Sequence, residues 1–490
     1  VARRTRSIHF VSLGCPKNRV DSEVMLGVAQ ARGWRPTGDA AQAEVIVVNT
    51  CGFIDPAKKE SIDTILEMAE QKERGRCRRL VVAGCLVQRH AGELAEALPE
   101  VDCFLGSSDM LRLGDVLEGR PAERMQVGAP ADWVVRAADP RTLSTLAGSA
   151  YVKIAEGCDR RCAFCVIPML RGKQRSRPPE DVVREVEILV ARGVREVNLV
   201  SQDTVSYGRD LVRAGVLDRA ERRGPSPLAE LVRRVAEVDG VRWVRLFYLY
   251  PEALDDALVE LLAHHPRVVP YVDMPLQHAA DAMLGRMRRG HGGARLRALV
   301  ERLRRDVPGL TFRTAFIVGH PGETDAEMQE LCDFVAWARF ERVGVFRYSD
   351  EPESASHGLR DKVPPLVAAN RWRRLMALAR RLSRANNEAL VGDTLEVLVE
   401  GTSDEHEAVL VGRHAGQAPE IDGQIYLSGT ERLARLPRPG EMVRVRVRQA
   451  SDYDLVGELV ALEPEARRAA QPVRLRVLRS DGRASPPASA

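Results

Sequence analysis

The segment GCDRRCAFC at 157–165 places Cys158, Cys162 and Cys165 in a C-x3-C-x2-C pattern. A closed thiolate metal centre usually takes four ligands, so three in one short loop leave a coordination position open. A structural zinc site would need a second Cys/His pair nearby to complete its tetrahedron, and the neighbouring sequence has none. A four-iron cluster held by three thiolates keeps one iron available to a small molecule. The loop follows the apolar run YVKIA, which predicts that it sits at the C-terminal end of a strand.

A second constellation is spread along the first hundred residues. Cys15 follows FVSLG, Cys51 follows VIVVNT, and Cys85 follows LVVAG. In a parallel sheet the loops after the strands gather along one edge, where ligands bind, so cysteines 36 and 34 residues apart in the chain can meet there. A single buried cysteine is often only a small hydrophobe. Three in equivalent positions point to a shared site, and a cluster on them would again leave an iron open, here for a sulfur species. Cys77 in a charged turn, Cys103 in a strand run and Cys332 in an amphipathic helix read as structural. Nine cysteines, an odd number, argue against a disulfide framework.

The elements that must position these residues follow from patterning. A chain of 490 residues exceeds one ordinary core. With 44% hydrophobic residues, 29% charged residues and a formal net charge of +4, its composition is that of a soluble globular protein. No apolar run reaches the roughly 18 residues of a membrane helix, and the opening VARRTRSIHFVSLGC lacks a signal-peptide core. A cytoplasmic protein without membrane contact is expected. Residues 6–118 alternate apolar runs with helical patterns, which predicts an α/β domain on a parallel sheet. A turn-rich linker is expected over 119–143. Over 144–385 six strand–helix units predict a partial (β/α)6 barrel, with chemistry at the C-terminal strand ends. Short strands without helices over 388–463 predict a small β-barrel. The tail 470–490, ending DGRASPPASA, is expected to be disordered.

Some side chains are candidates for holding a ligand of the cysteine loop. Phe164 stands directly before the last cysteine. Arg175 and Arg177 follow the loop and could pair with a carboxylate, solvated arginines being the commoner case. Gly319 and Gly322 belong to GHPGE, which leads into a helix capped by Thr324 and Glu327. That turn could offer backbone N–H groups to a carboxylate or ribose, or serve only as a turn.

C-x3-C-x2-C with Phe164 before its last cysteine resembles the radical S-adenosylmethionine (SAM) signature. In that family the open iron chelates SAM, and one electron cleaves it to methionine and a 5′-deoxyadenosyl radical. SLGCPKNRVDSE, VVNTCGFIDPAKKES, VAGCLVQR, GCDRRCAFCVIPMLRGKQRSR and ASDYDLVGE together resemble the methylthiotransferases along nearly the whole chain, the last segment lying in a TRAM-like barrel. The resemblance implies two 4Fe-4S clusters, an auxiliary one on Cys15, Cys51 and Cys85 and a radical SAM one on Cys158, Cys162 and Cys165. It also implies two SAM molecules per turnover, a sulfur source, and an electron donor such as flavodoxin or ferredoxin.

SQDTVSYG, WVRLFYLYP, YVDMPLQHA and APEIDGQIYLSG resemble the branch that methylthiolates the β-carbon of an aspartate in the small-subunit ribosomal protein numbered twelve. VGHPGET departs from the family at His320, where Phe is usual. Charge points the same way: residues 389–463 carry fourteen Asp/Glu against seven Arg and no Lys. A domain that grips tRNA needs cations for phosphates, whereas an acidic barrel suits a basic ribosomal protein, free or on the ribosome. MVRVRVRQ is the exception, with Arg444, Arg446 and Arg448 on one strand face, available for rRNA contact or simply solvated. The rival readings are the tRNA-adenosine branch of the same family and a non-catalytic, metal-stabilised RNA-binding module.

Overall fold

The computed structural model describes residues 6–119, 123–130, 133–218, 224–252, 254–403, 405–406, 408–430, 435–462, 473 and 475–477. The N-terminal sheet is parallel, with strand order β2-β1-β3-β4-β5-β6. Its strands are β1 (Ser7–Ser12), β2 (Arg35–Pro36), β3 (Val45–Thr50), β4 (Arg79–Gly84), β5 (Cys103–Leu105) and β6 (Met125–Gln126). All six residues of β3 are buried, as a strand covered on both faces requires. Its pleat divides them: Val45 and Val47 pack with Met25 and Leu26 of helix α1 (Pro16–Ala31). Ile46 and Val48 pack with Ile65 and Met68 of helix α2 (Asp55–Ala69). Cys77 and Cys103 sit in these two cores, as expected of structural cysteines.

Two boundary expectations need correction. The segment 119–143 is not merely a linker, because β6 within it pairs with β5 and completes the sheet. Nor is 470–490 wholly without structure. Arg476–Val477 forms β20, parallel to Val11–Ser12 of β1, and Arg476 bridges Glu67 at 2.7 Å. The alternation of Val473, Leu475 and Val477 supplies the reason, since Val473 and Leu475 pack against the N-terminal core. Most of the rest of that tail lies outside the described residues.

The central sheet runs β7 (Ser149–Lys153), β10 (Glu196–Val200), β11 (Trp243–Leu246), β12 (Val268–Asp273), β13 (Thr311–Val318) and β14 (Arg342–Arg347). All are parallel and adjacent in chain order, as a six-stranded partial barrel demands. Between the first two lies a short antiparallel pair, β8 (Ala155–Glu156) with β9 (Arg175–Ser176), which closes the base of the cysteine loop. Cys332 lies in this domain's core.

The C-terminal strands β15 (Thr394–Thr402), β16 (Leu410–His414), β17 (Ile425–Ser428), β18 (Met442–Ala450) and β19 (Leu455–Leu462) form a closed barrel. In β18, Val443, Val445 and Val447 are buried and Arg444, Arg446 and Arg448 exposed. The three domains share one apolar cluster, in which Val20 and Val24 of α1 meet Tyr151, Phe247 and Tyr271 of the central sheet and Leu398 and Ala418 of the small barrel. Among the described residues no helix is long and apolar enough to cross a membrane.

Candidate active site

Strand order in the N-terminal sheet reverses between β1 and β3, and the crevice beyond such a switch point is where open α/β sheets hold ligands. Cys15 and Cys51 follow these two strands, and Cys85 follows β4. Two glycines let the cysteine loops touch. Gly14 has φ +87°, and a Cβ there would lie 2.8 Å from the Cβ of Cys51. A Cβ on Gly52 would lie 2.7 Å from the Cα of Leu86 and 2.8 Å from the carbonyl oxygen of Cys85. The three chain segments therefore converge. Asn18 in the first turn of α1 ties them together, donating to the carbonyls of Leu13 (3.1 Å) and Thr50 (2.9 Å).

The second trio is equally well held. Ala163 donates to the Met287 carbonyl at 3.0 Å and accepts from the Ser356 amide at 2.8 Å, while Cys158 N–H donates to Gly172 O at 3.1 Å. Each sulfur of the loop receives an N–H. Arg160 donates its backbone N–H to Cys158 (3.4 Å), Ile167 does the same to Cys165 (3.5 Å), and Arg289 donates Nη1 to Cys162 (3.4 Å). Arg160 and Arg289 also stack on Tyr250, at 3.8 and 4.1 Å from the ring centre. Phe164 packs with Ile317 against Ala280, Met283 and Met287, an apolar shelf beside the loop.

The thiols fit iron–sulfur centres. Burial, with the neighbouring cysteine sulfurs, pushes Cys51 up to about 12, and burial also pushes Cys165 up to about 12 and Cys158 to about 11. Such clustered thiols ionise when a cationic metal centre compensates them. All nine cysteines are unpaired. Among the described residues no three His, Cys, Asp or Glu side chains close around a point as a single ion requires; a four-iron cube holds its thiolates farther apart.

A buried charge network runs from the helix after the second trio to the first trio. Arg171 ends the helix Ile167–Arg171 that follows the cysteine loop. Its Nε donates to Cys85 Sγ at 3.3 Å, Nη1 to Asp21 Oδ2 at 2.8 Å, and Nη2 to Asn18 Oδ1. Lys153 donates to the other Asp21 oxygen at 2.6 Å and pairs with Glu156. Burial alone would raise the Glu156 carboxyl, but Lys153 and Arg171 outweigh it and hold it at about 2. Lys17, next to Asn18, lies 3.3 Å over the ring of Tyr248 beyond β11. Burial lowers its ammonium from the ordinary value, with Cys15 opposing.

Four residues proposed above for SAM are placed differently. Arg177 is fully buried and spent on the Lys153 carbonyl, Asp181 and Glu185. Arg175 donates to the carbonyls of Arg171, Lys173 and Pro130, bracing the loop. Gly319 gives its N–H to Glu323 (2.7 Å) and Gly322 to the Asp361 carbonyl (2.6 Å), so neither amide is left to offer a ligand. Both take positive φ and serve the turn, and the Thr324–Glu327 capping box forms as expected. The sequence reading missed Arg171, Asn18, Asp21 and Lys153. A faint signal existed: PKNRVDSE opens α1 with polar residues on every face, which only a covered, charge-matched helix end tolerates.

Residues 7–106 match a family described as "Uncharacterized protein family UPF0004", residues 152–335 the radical SAM superfamily, and residues 391–460 the TRAM domain. A protein of Sorangium cellulosum (strain So ce56), named ribosomal protein uS12 methylthiotransferase RimO, is 69% identical over 492 residues, spanning 98% of this chain and 99% of that protein. One of the same name from Anaeromyxobacter sp. (strain K) is 50% identical over 466 residues, spanning 95% of each. Among solved structures, the radical SAM methyltransferase TsrM of Kitasatospora setae, with tryptophan and a SAM analogue bound, superposes with a TM-score of 0.51 at 16% identity. It covers 77% of this chain and 89% of that one, a likeness of fold.

Proposed function

The chain belongs to the RimO family of ribosomal protein uS12 methylthiotransferases, and from its site we propose how its residues serve that reaction. It is a radical SAM transferase that puts a methylthio group on uS12, and we assign the acceptor to the β-carbon of an aspartate. Cys158, Cys162 and Cys165 hold one 4Fe-4S cluster and Cys15, Cys51 and Cys85 a second. When bound, the first supplies reductive SAM cleavage and the second a sulfur position. The observation that carries the reading is the direct bond from Arg171, on the radical SAM loop, to Cys85 of the other trio.

The protein's own work is positional. Arg289 and the loop amides donate to the three loop sulfurs. Phe164, Met283 and Met287 offer an apolar shelf for the SAM adenine. The buried Asp21–Lys153–Arg171 network ties the helix after the radical SAM loop to α1, whose first turn lies beside Cys85. The exposed Arg444 and Arg446 face of the small barrel is assigned to rRNA contact, and electrons to an external flavodoxin- or ferredoxin-type carrier. Work on a ribosomal protein supports a cytoplasmic enzyme.

Peptide mass spectrometry of uS12, after anaerobic incubation with reconstituted enzyme, SAM, sulfide and reductant, tests the reading. One methylthio group on an aspartate, lost with Cys51→Ala or Cys158→Ala, is expected. SAM cleavage without modified uS12 would move the substrate to tRNA.

A further inference from the structure

A cleft of about 650 Å³ opens beside the cysteine loop, lined by Asp159 and Arg160 of that loop, by Gln174, and by residues of the segment 203–213. Its inner polar atoms are unmatched in a consistent way. Gln174 is only 6% exposed, yet neither its amide oxygen nor its amide nitrogen has a partner among the described residues. Asp203 is 3% exposed: its Oδ2 accepts from Arg160 Nε and Ser206 Oγ, both at 2.7 Å, and its Oδ1 from nothing described. Asp210 Oδ2 accepts the Ser176 amide at 2.7 Å, and its Oδ1 is likewise unmatched. Arg160 Nη2 has no described acceptor.

Buried polar atoms left open are costly unless something fills them. The open acceptors, three oxygens of which two are carboxylate, outnumber the open donors on Gln174 and Arg160. A ligand rich in N–H groups and positively charged meets that set, and an anion does not. Arg209 and Arg213 lie at the exposed mouth, Arg213 paired with Asp159 at 3.6 Å. A phosphate would stop at that rim, against the carboxylates behind it.

We propose that this cleft is a subsite for the substrate protein: the open oxygens of Asp203 and Asp210 take one basic side chain, and Gln174 with Arg160 reads the adjoining main-chain amide. The proposal rests on uS12 being the substrate and on its being basic, as ribosomal proteins commonly are. The subsite adjoins the segment between Cys158 and Cys162, so a peptide seated there extends from the edge of the radical-generating loop.

Two variants isolate the ligand's share. Gln174→Met removes an amide that has no described partner inside the protein. Asp210→Asn keeps an oxygen for the Ser176 amide while removing the negative charge. In the reconstituted full chain, with purified uS12 as probe, the KM for uS12 is expected to rise about tenfold for Asp210→Asn and several-fold for Gln174→Met, with kcat within about twofold. Iron content and the thermal midpoint should stay at wild-type values. Replacing each Lys or Arg flanking the modified aspartate by Gln should yield one uS12 variant whose KM no longer responds to Asp210→Asn. Unchanged KM in both enzyme variants would mean that the cleft holds only water. A KM rise confined to assembled small subunits, and absent with free uS12, would assign it to RNA. Both outcomes overturn the proposal. A wild-type chain that cleaves SAM but leaves uS12 unmodified removes the proposed function and this subsite with it, whereas modified uS12 with an unmoved KM removes the subsite alone.

Discussion

The Nε of Arg171 donates to the sulfur of Cys85 at 3.3 Å, although Arg171 belongs to the helix that starts two residues after Cys165. A side chain from the segment after the second trio thus reaches a sulfur of the first, and Asp21 neutralises it. A cation against a cluster sulfur stabilises the reduced cluster, so its loss should lower the auxiliary potential. In a Cys158→Ala, Cys162→Ala, Cys165→Ala background, an electron paramagnetic resonance titration should show Arg171→Met shifting that potential down and Arg171→Lys restoring part of it. In the intact chain, Arg171→Met should lower methylthiolation about 10–100-fold while SAM cleavage persists. Wild-type potential and rate in the Met variant would sink the idea.

The trios should also be separable by composition. Cys51→Ala opens one site and leaves Cys158, Cys162 and Cys165 with their own N–H donors. Iron per reconstituted chain is expected to fall by about half, with deoxyadenosine formation retained and methylthiolation abolished. Loss of deoxyadenosine as well would show that the radical SAM loop needs the other site to fold.

These six cysteines were legible in the sequence because two kinds of pattern expose them: a tight local spacing, and repetition at equivalent strand ends. The order of the layers was legible too, since β3 and β4 read as short apolar runs and β18 as strict alternation. What lay hidden was whatever depends on contact between distant segments. Arg171 looks like any loop arginine until Asp21 and Lys153, 150 and 18 positions earlier, are seen beside it. Arg177 looked like a ligand for the opposite reason, since nothing local shows that Glu185 one helix on already claims it. The tail strand escaped because its three apolar residues are too few to register as a pattern without the exposed edge of β1 to receive them.

The joint between the small barrel and the central sheet rests on Glu196. It accepts from Arg245 at 2.9 and 3.0 Å and from Arg413 at 2.6 Å, all three buried. Burial pushes its carboxyl up, but Arg413 and Arg245 overcome that and hold it at about 2. Glu196→Gln leaves two buried guanidinium groups short of charge and should cost about 3–5 kcal/mol in denaturant unfolding. Because the folded value is depressed, the contribution is complete above the ordinary carboxylate range and lost as pH falls through about 2. The gap between wild type and Glu196→Gln should therefore narrow from about pH 4.5 downward. A gap constant down to pH 2 would show that the ion pairs contribute nothing to it.

His320 is held neutral: burial lowers it to about 4. Its ring stands edge-on to Tyr348 and its Nε2 lies 2.8 Å from the Ser356 hydroxyl. Ser356 in turn gives its amide to Ala163 of the cysteine loop. Between about pH 6.5 and 4 the unfolded chain binds a proton here that the folded chain refuses, so stability falls with falling pH by about 1.4 kcal/mol per unit from this group. His320→Phe removes that slope but strands the Ser356 hydroxyl, a cost of about 1–3 kcal/mol at neutral pH. Adding Ser356→Ala should recover most of it, since no acceptor is then needed. The double variant is expected to match wild type near pH 8 and to exceed it at pH 5 in thermal unfolding. Parallel pH profiles for the two proteins would mean that His320 is protonated in the folded state and that its bond to Ser356 runs the other way.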